Sequence, residues 1–215
     1  MTASPQHVVL LGDSIFDNAL YVPRRPAVIE QLRDRLPDGW KATLLAVDGA
    51  VAEDVARQLK QLPEDATHLV ISVGGNDALG AGQILYDVIS TAAEGMNRIA
   101  AAQRHFRRYY REMLAGAVAT GLKIVACAVY DSCLGLPASA IAGLSVFNDV
   151  ILTECFRRAV PVIDLRLICA AVEDYSELSP IEPSEIGGGK IARAVQRMLL
   201  THDFTMQQTV VYGAA

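Results

Sequence analysis

Four places in this 215-residue chain hold residue types that can do chemistry together. "GDSIFDN" (12–18) sets Asp13 and Ser14 directly after an apolar run. A serine that leaves a strand into a tight, glycine-led turn is presented at the strand end. Asp13 beside it can accept backbone N–H bonds and brace the turn. Gly49, in "VDGAVAEDV", follows a second apolar run and leaves its backbone N–H unobstructed. "SVGGNDALG" places Gly74, Gly75, Asn76 and Asp77 after a third run, with Asn76 as a neutral amide donor. The fourth, "SPIEPSEIGGGKIA" (179–192), carries Glu182 on a loop that feeds a helix. A hydroxyl, a carboxylate and fixed neutral donors suit attack on an acyl carbon, where the carbonyl oxygen turns negative. Singly, each loop serves equally as a cap or turn, since Ser, Asp, Asn and Gly favour both.

The elements that must position these loops are legible as periodicity. "HVVLLG" (7–12), "ATLLAV" (42–47), "THLVISVG" (67–74), "KIVACAVY" (123–130) and "VPVIDL" (160–165) are uniformly apolar and of strand length. Such runs are covered on both faces, as in a parallel sheet between helix layers. Helical spacing runs over 27–36, 51–62, 97–120, 144–159 and 185–200, with Pro37, Pro63 and Gly121 as stop signals. Strand then helix, five times over, predicts a three-layer, doubly wound, flavodoxin-like α/β fold: a five-stranded parallel sheet with helices on both faces. No repeat or linker interrupts it, so 1–215 reads as a single domain. The tail from Thr201 is polar, then briefly β-prone. Ligands of such sheets bind beyond the carboxyl ends of the strands, where the four loops fall.

In order and position the loops resemble the SGNH (GDSL-like) hydrolase family of esterases and lipases. Its blocks are a GDS nucleophile loop, a lone glycine after the second strand and a GND segment after the third. Here these are Gly12-Asp13-Ser14, Gly49 and Gly75-Asn76-Asp77, and the resemblance runs from about His7 to Leu200, through "VFNDVI" and "VPVIDLR". It implies a serine esterase acting on a small-molecule acyl ester, with Ser14 as nucleophile. It also implies an oxyanion hole made of the Ser14 N–H, the Gly49 N–H and the Asn76 side chain.

The family's last block, Asp-x-x-His-Pro, is altered. Glu182-Pro183 stands where His-Pro belongs and Ser179 where the Asp belongs. His7 and His68 begin strands, at the wrong end of the sheet; His105 lies on a basic helix face and His202 beyond the last helix. Glu182 is therefore the candidate base, with Ser179 as the group expected to orient it. Burial and nearby negative charge, from Glu173, Asp174 and Glu177, are expected to raise its pKa towards neutrality, where a base is most useful. As a plain alternative, Glu182 is a loop carboxylate favoured near a helix N-terminus. Residues 131–143 and 79–85 are expected to wall an acyl pocket with small and aliphatic side chains suited to short chains.

Bulk properties exclude other classes. A net charge of −5 argues against a nucleic-acid partner, and the basic run "RHFRRYYRE" (104–112) reads as a solvated helix face. No apolar run reaches the roughly 18 residues of a membrane span. "MTASPQ" lacks the features of an export signal, so a cytoplasmic protein is expected. Cys127, Cys133, Cys155 and Cys169 form no CxxC pair, so no metal is expected. "IGGGKIA" lacks the spacing of a phosphate loop, and no phosphate-cradling pattern follows the first strand. No cofactor is expected, and a nucleotide- or flavin-binding domain is disfavoured. A non-catalytic domain that binds an acyl or acetylated ligand is the second reading.

Overall fold

Uniformly apolar runs become central strands because both of their faces can be buried. The computed structural model describes residues 5–213. The first four residues of "MTASPQ" lie outside the described residues. The strands are β1 (Gln6–Gly12), β2 (Trp40–Leu44), β3 (His68–Ser72), β4 (Lys123–Ala128), β5 (Val162–Asp164) and β6 (Val211–Tyr212). All pair in parallel, in the order β2-β1-β3-β4-β5-β6. The sheet thus has six strands rather than five: Val211 and Tyr212 of the tail pair with Val162 and Ile163. A two-residue strand is too short for periodicity to show.

The helices are α1 (Val28–Arg33), α2 (Val55–Leu59), α3 (Gly75–Ala81), α4 (Ala92–Ala119), α5 (Ala138–Phe156) and α6 (Glu185–Thr201). In β1, Val8 and Leu10 face the α1–α6 layer while Val9 and Leu11 face α2, α4 and α5, and all four are fully buried. Each such side chain contributes roughly 1.5–3 kcal/mol relative to exposure. The glycine run of α6 is a packing feature. A Cβ at Gly187 would stand 2.0 Å from the Asp174 carbonyl oxygen, and Gly188 and Gly189 lie against Gln31 of α1. This close approach seats the loop that precedes α6.

Three differences from the expected elements matter for function. α4 begins at Ala92, where Thr91 Oγ1 accepts the Glu94 N–H at 3.1 Å, and α5 begins at Ala138 after Pro137. Both extensions add turns where sequence predicted loop. The GND segment itself opens α3 after Gly74, whose φ of 126° is available to glycine at little cost. Conversely, α1 and α2 are shorter than their apolar spacing suggested.

Among the described residues, α5 is the one helix long and apolar enough to cross a membrane by length and composition. Here its Phe147, Val150, Ile151 and Cys155 are buried in the core beside the sheet. Its fully buried Glu154 takes ion pairs from Arg111 (2.8 Å), Arg157 (3.2 Å) and Arg158 (2.8 Å), as a buried carboxylate requires. The basic run of α4 is accordingly less free than a solvated face, since Arg107 also reaches Asp149 on α5.

Candidate active site

Ser14 sits where β1 ends, and its turn has no room for any residue but glycine before it. A Cβ at Gly12, whose φ is 119°, would lie 1.7 Å from the Ser72 carbonyl oxygen of β3. Asp13 N–H donates to that same carbonyl at 3.0 Å, and Asp13 Oδ1 accepts the Ile15 N–H at 3.2 Å, the bracing expected of it. Burial first, then the charges of Glu182 and Asp77, holds the Asp13 carboxyl well above the usual carboxylate range.

Residues outside the sequence motifs complete the turn. The buried Gln58 of α2 accepts the Gly12 N–H at 2.7 Å and donates to the Gly12 carbonyl at 2.8 Å. Its side-chain amide acts as one residue of a missing neighbouring strand. Asn148 of α5 does the same for Val129, beyond β4, at 2.9 and 2.8 Å. Asn18 is fully buried; it accepts the Val28 N–H at 2.9 Å and donates to the Pro183 carbonyl at 3.1 Å. It thereby ties the Ser14 loop to the Glu182 loop across 165 residues of chain. No periodicity or motif marked Gln58; Asn18 and Asn148 lay in recognised blocks without an assigned part.

Glu182 meets Ser14 directly: Ser14 Oγ donates to Glu182 Oε1 at 3.0 Å, and both residues are buried. The turn is gripped by its main chain. Ser176 N–H donates to the Glu182 carbonyl (2.8 Å), Glu182 N–H to the Ser179 carbonyl (3.1 Å) and Tyr130 Oη to the Ile181 carbonyl (2.7 Å). Ser179 therefore supports Glu182 through its carbonyl rather than its hydroxyl, because the two residues close one tight turn. Glu182 Oε2 is buried with no hydrogen-bond partner among the described residues.

Burial lifts the Glu182 pKa to about 7, opposed by the Ser14 hydrogen bond and assisted by the charge of Asp48. The expected repulsion exists, but its source is Asp48 on the second loop. Asp174 is instead paired with Lys190 at 2.6 Å. Asp48 is itself held by Tyr21 Oη at 2.8 Å.

The second and third loops grip each other. Asn76 Nδ2 donates to the Ala50 carbonyl at 3.0 Å, and Asp77 Oδ2 accepts the Ala52 N–H at 3.0 Å. Asn76 keeps a second amide hydrogen free of that bond. Among the described residues, no acceptor engages the backbone N–H of Ser14 or of Gly49. Gly49 has a φ of 80° and open space where a Cβ would stand, so conformation rather than crowding calls for glycine there. Gly49 is outside the cleft lining, whereas Asp13, Ser14, Asn76 and Glu182 form the polar end of a cavity of about 150 Å³. Its other walls come from 79–85 and 133–147, near the segments expected to form them.

The histidines lie where sequence placed them. His7 Nδ1 pairs with Asp65 at 2.7 Å and His68 stacks on Trp40, both at strand starts. His105 stands exposed on α4, edge-on to Tyr109. His202 contacts Tyr212 of β6. None bonds to Ser14. Among the described residues, no cluster of His, Cys, Asp or Glu has metal-holding geometry.

A serine turn, two interlocked loops and an apolar cleft thus meet at the carboxyl edge of a doubly wound α/β sheet. Residues 10–187 match the GDSL-like lipase/acylhydrolase family, and the chain belongs to it. No curated protein matched the chain. Solved structures share the fold at low identity. One is the lipase Lip_vut3 from a goat rumen metagenome (TM-score 0.69, 17% identity, covering 89% of this chain and 96% of that one). Another is the acetyl xylan esterase AlAXEase (0.65, 16%, 91% and 100%). A third is the psychrotrophic esterase EstA from Pseudoalteromonas sp. (0.65, 13%, 91% and 97%).

Proposed function

We propose that this protein is a serine esterase in which Ser14 and Glu182 form the catalytic dyad. The observation that carries the reading is the 3.0 Å hydrogen bond from Ser14 Oγ to a buried glutamate with a pKa of about 7. Glu182 accepts the hydroxyl proton as Ser14 Oγ attacks the ester carbonyl carbon. The oxygen that becomes negative is held by the Ser14 N–H, the Gly49 N–H and the second hydrogen of Asn76 Nδ2, all neutral donors set in advance. Glu182 then returns the proton to the departing alcohol oxygen and leaves an acyl group on Ser14. Water attacks that acyl group with Glu182 again as base, and the carboxylic acid departs. A small-molecule acyl ester is the substrate, since the cleft that adjoins Ser14 is lined mostly by apolar side chains.

A fluorophosphonate tests the nucleophile. Ser14 Oγ is expected to displace fluoride from phosphorus, and the adduct is expected on the peptide that contains Ser14 by mass spectrometry. The labelling rate should rise as pH passes through about 7. An adduct on another residue would redirect the assignment. Wild-type protein that binds an acyl ester without cleaving it would favour the ligand-binding alternative.

Asn76→Ala separates the oxyanion role from simple substrate contact. Loss of one such donor lowers kcat by about a hundred- to a thousandfold. Steady-state kinetics should show that fall in kcat with KM changed far less. A rise in KM at constant kcat would place Asn76 in ground-state binding instead.

A further inference from the structure

The cleft beside Ser14 is larger than an acetyl group needs. Its volume is about 150 Å³, and beyond Asp13, Ser14, Asn76 and Glu182 it is walled almost wholly by apolar side chains. A cavity of that size lined by Leu, Ile and Phe accommodates a benzene-sized molecule, on the order of six heavy atoms. The space lies between the N-terminal parts of α4 and α5, and of the turns that sequence did not foresee only the start of α5, with Ala140 and Gly143, lines it. Ile99 and Ala102 share one face of α4, and Ala140, Gly143, Leu144 and Phe147 share one face of α5. Phe147 is buried and packs against Phe106 at 5.1 Å between ring centroids, which ties this wall of the cavity to the core. Small residues make the room: Ala102, Ala140 and Gly143 stand where larger side chains would fill it.

We propose that the site selects a medium-length acyl chain, about six carbons, and not an acetyl group. The proposal rests on Ser14 being the nucleophile. The chain belongs to the acid half of the ester. Glu182 must hand its proton to the departing oxygen, so the alcohol leaves on the side of the Glu182 turn. A second, open groove behind that turn carries Arg25, Glu173 and Glu177 beside Val172, Leu178 and Ile186, and neither Ser14 nor Glu182 lines it. Asn76, by contrast, shares α3 with Ala78 and Leu79, which line the apolar cavity.

Two ester series read this out: methyl esters from acetate to decanoate, with the chain on the acid, and alkyl acetates with the same chains on the alcohol. Each fully buried methylene is worth about fourfold in binding. From acetate to hexanoate kcat/KM should therefore climb by more than tenfold, towards about two orders of magnitude, and stop climbing near eight carbons. The alkyl acetates should change little. In Gly143→Leu, where an added Cβ meets no atom within 4 Å, the hexanoate-to-acetate ratio should fall at least tenfold. Ala102→Leu provides the same readout from the opposite wall. Calorimetric titration of Ser14→Ala with methyl hexanoate and methyl acetate needs no turnover, and the longer ester should bind at least tenfold more tightly. Tight binding without cleavage by the wild type would defeat the esterase reading and leave the chain selection standing. Cleavage with a flat acid series, or with the preference on the alcohol series, would overturn the chain selection alone.

Discussion

Glu182→Gln is expected to lower ester turnover by about a hundred- to ten-thousandfold, the range over which a positioned base contributes. Glutamine preserves the shape of the side chain, and its carbonyl can still accept the Ser14 hydroxyl, but it cannot take up the proton. In the wild type, the base is competent only when ionised, so activity should rise as pH passes through about 7 and level off above. The same substitution should stabilise the fold at alkaline pH. The folded-state pKa of about 7 exceeds the ordinary glutamate value of 4.5, so the native protein holds more protons than the unfolded chain between those values. Stability therefore falls as pH rises through that window and stays reduced above it, by at most about 3 kcal/mol for a shift of this size. Melting curves should show Glu182→Gln gaining on the wild type at pH 8 but not at pH 4. Glu182→His should keep part of the activity, with an acid limb nearer the ordinary histidine value. Full activity in Glu182→Gln would end the dyad assignment.

Ser14→Ala is expected to have the largest effect, a loss of about ten-thousandfold or more in turnover, together with loss of the fluorophosphonate adduct. The fold should persist, because the Ser14 hydroxyl bonds only to Glu182 while the turn is held through Gly12, Asp13 and Ile15. A second readout is specific to the pair. The Ser14 hydrogen bond opposes the rise of the Glu182 pKa, so its removal should move that pKa higher still. Carboxyl carbon NMR over a pH titration reads that shift directly. An unmoved Glu182 resonance would mean that the two side chains do not interact in solution.

Asp48→Asn offers a milder companion measurement. It removes the charge that helps raise the Glu182 pKa, so the acid limb of the pH–activity profile should move to lower pH. The Tyr21 hydrogen bond can persist to the amide oxygen.

The layers, the parallel pairing and the loops at the carboxyl edge were all legible in order of residues. Each followed from local physics: runs such as "HVVLLG" need burial on both faces, and Gly12 and Gly74 mark turns at strand ends. Composition and motif order likewise marked Ser14, Asn76 and Glu182 as candidates. What local pattern could not carry was anything set by a partner distant in the chain. Gln58 holds Gly12, and Asn18 holds Pro183, through contacts that exist only once the sheet has formed. The short strand β6 depends on an exposed edge of β5, and α3 is too short and glycine-rich to declare itself. The charge that acts on Glu182 is likewise invisible along the chain: Glu173, Asp174 and Glu177 are near in sequence, whereas Asp48 supplies it from another strand's loop. Sequence by itself determined which groups are available for chemistry and at which edge of the sheet. Tertiary structure decided their protonation and the cleft beside them, because burial, charge repulsion and cavity size are properties of groups brought together from opposite ends of the chain.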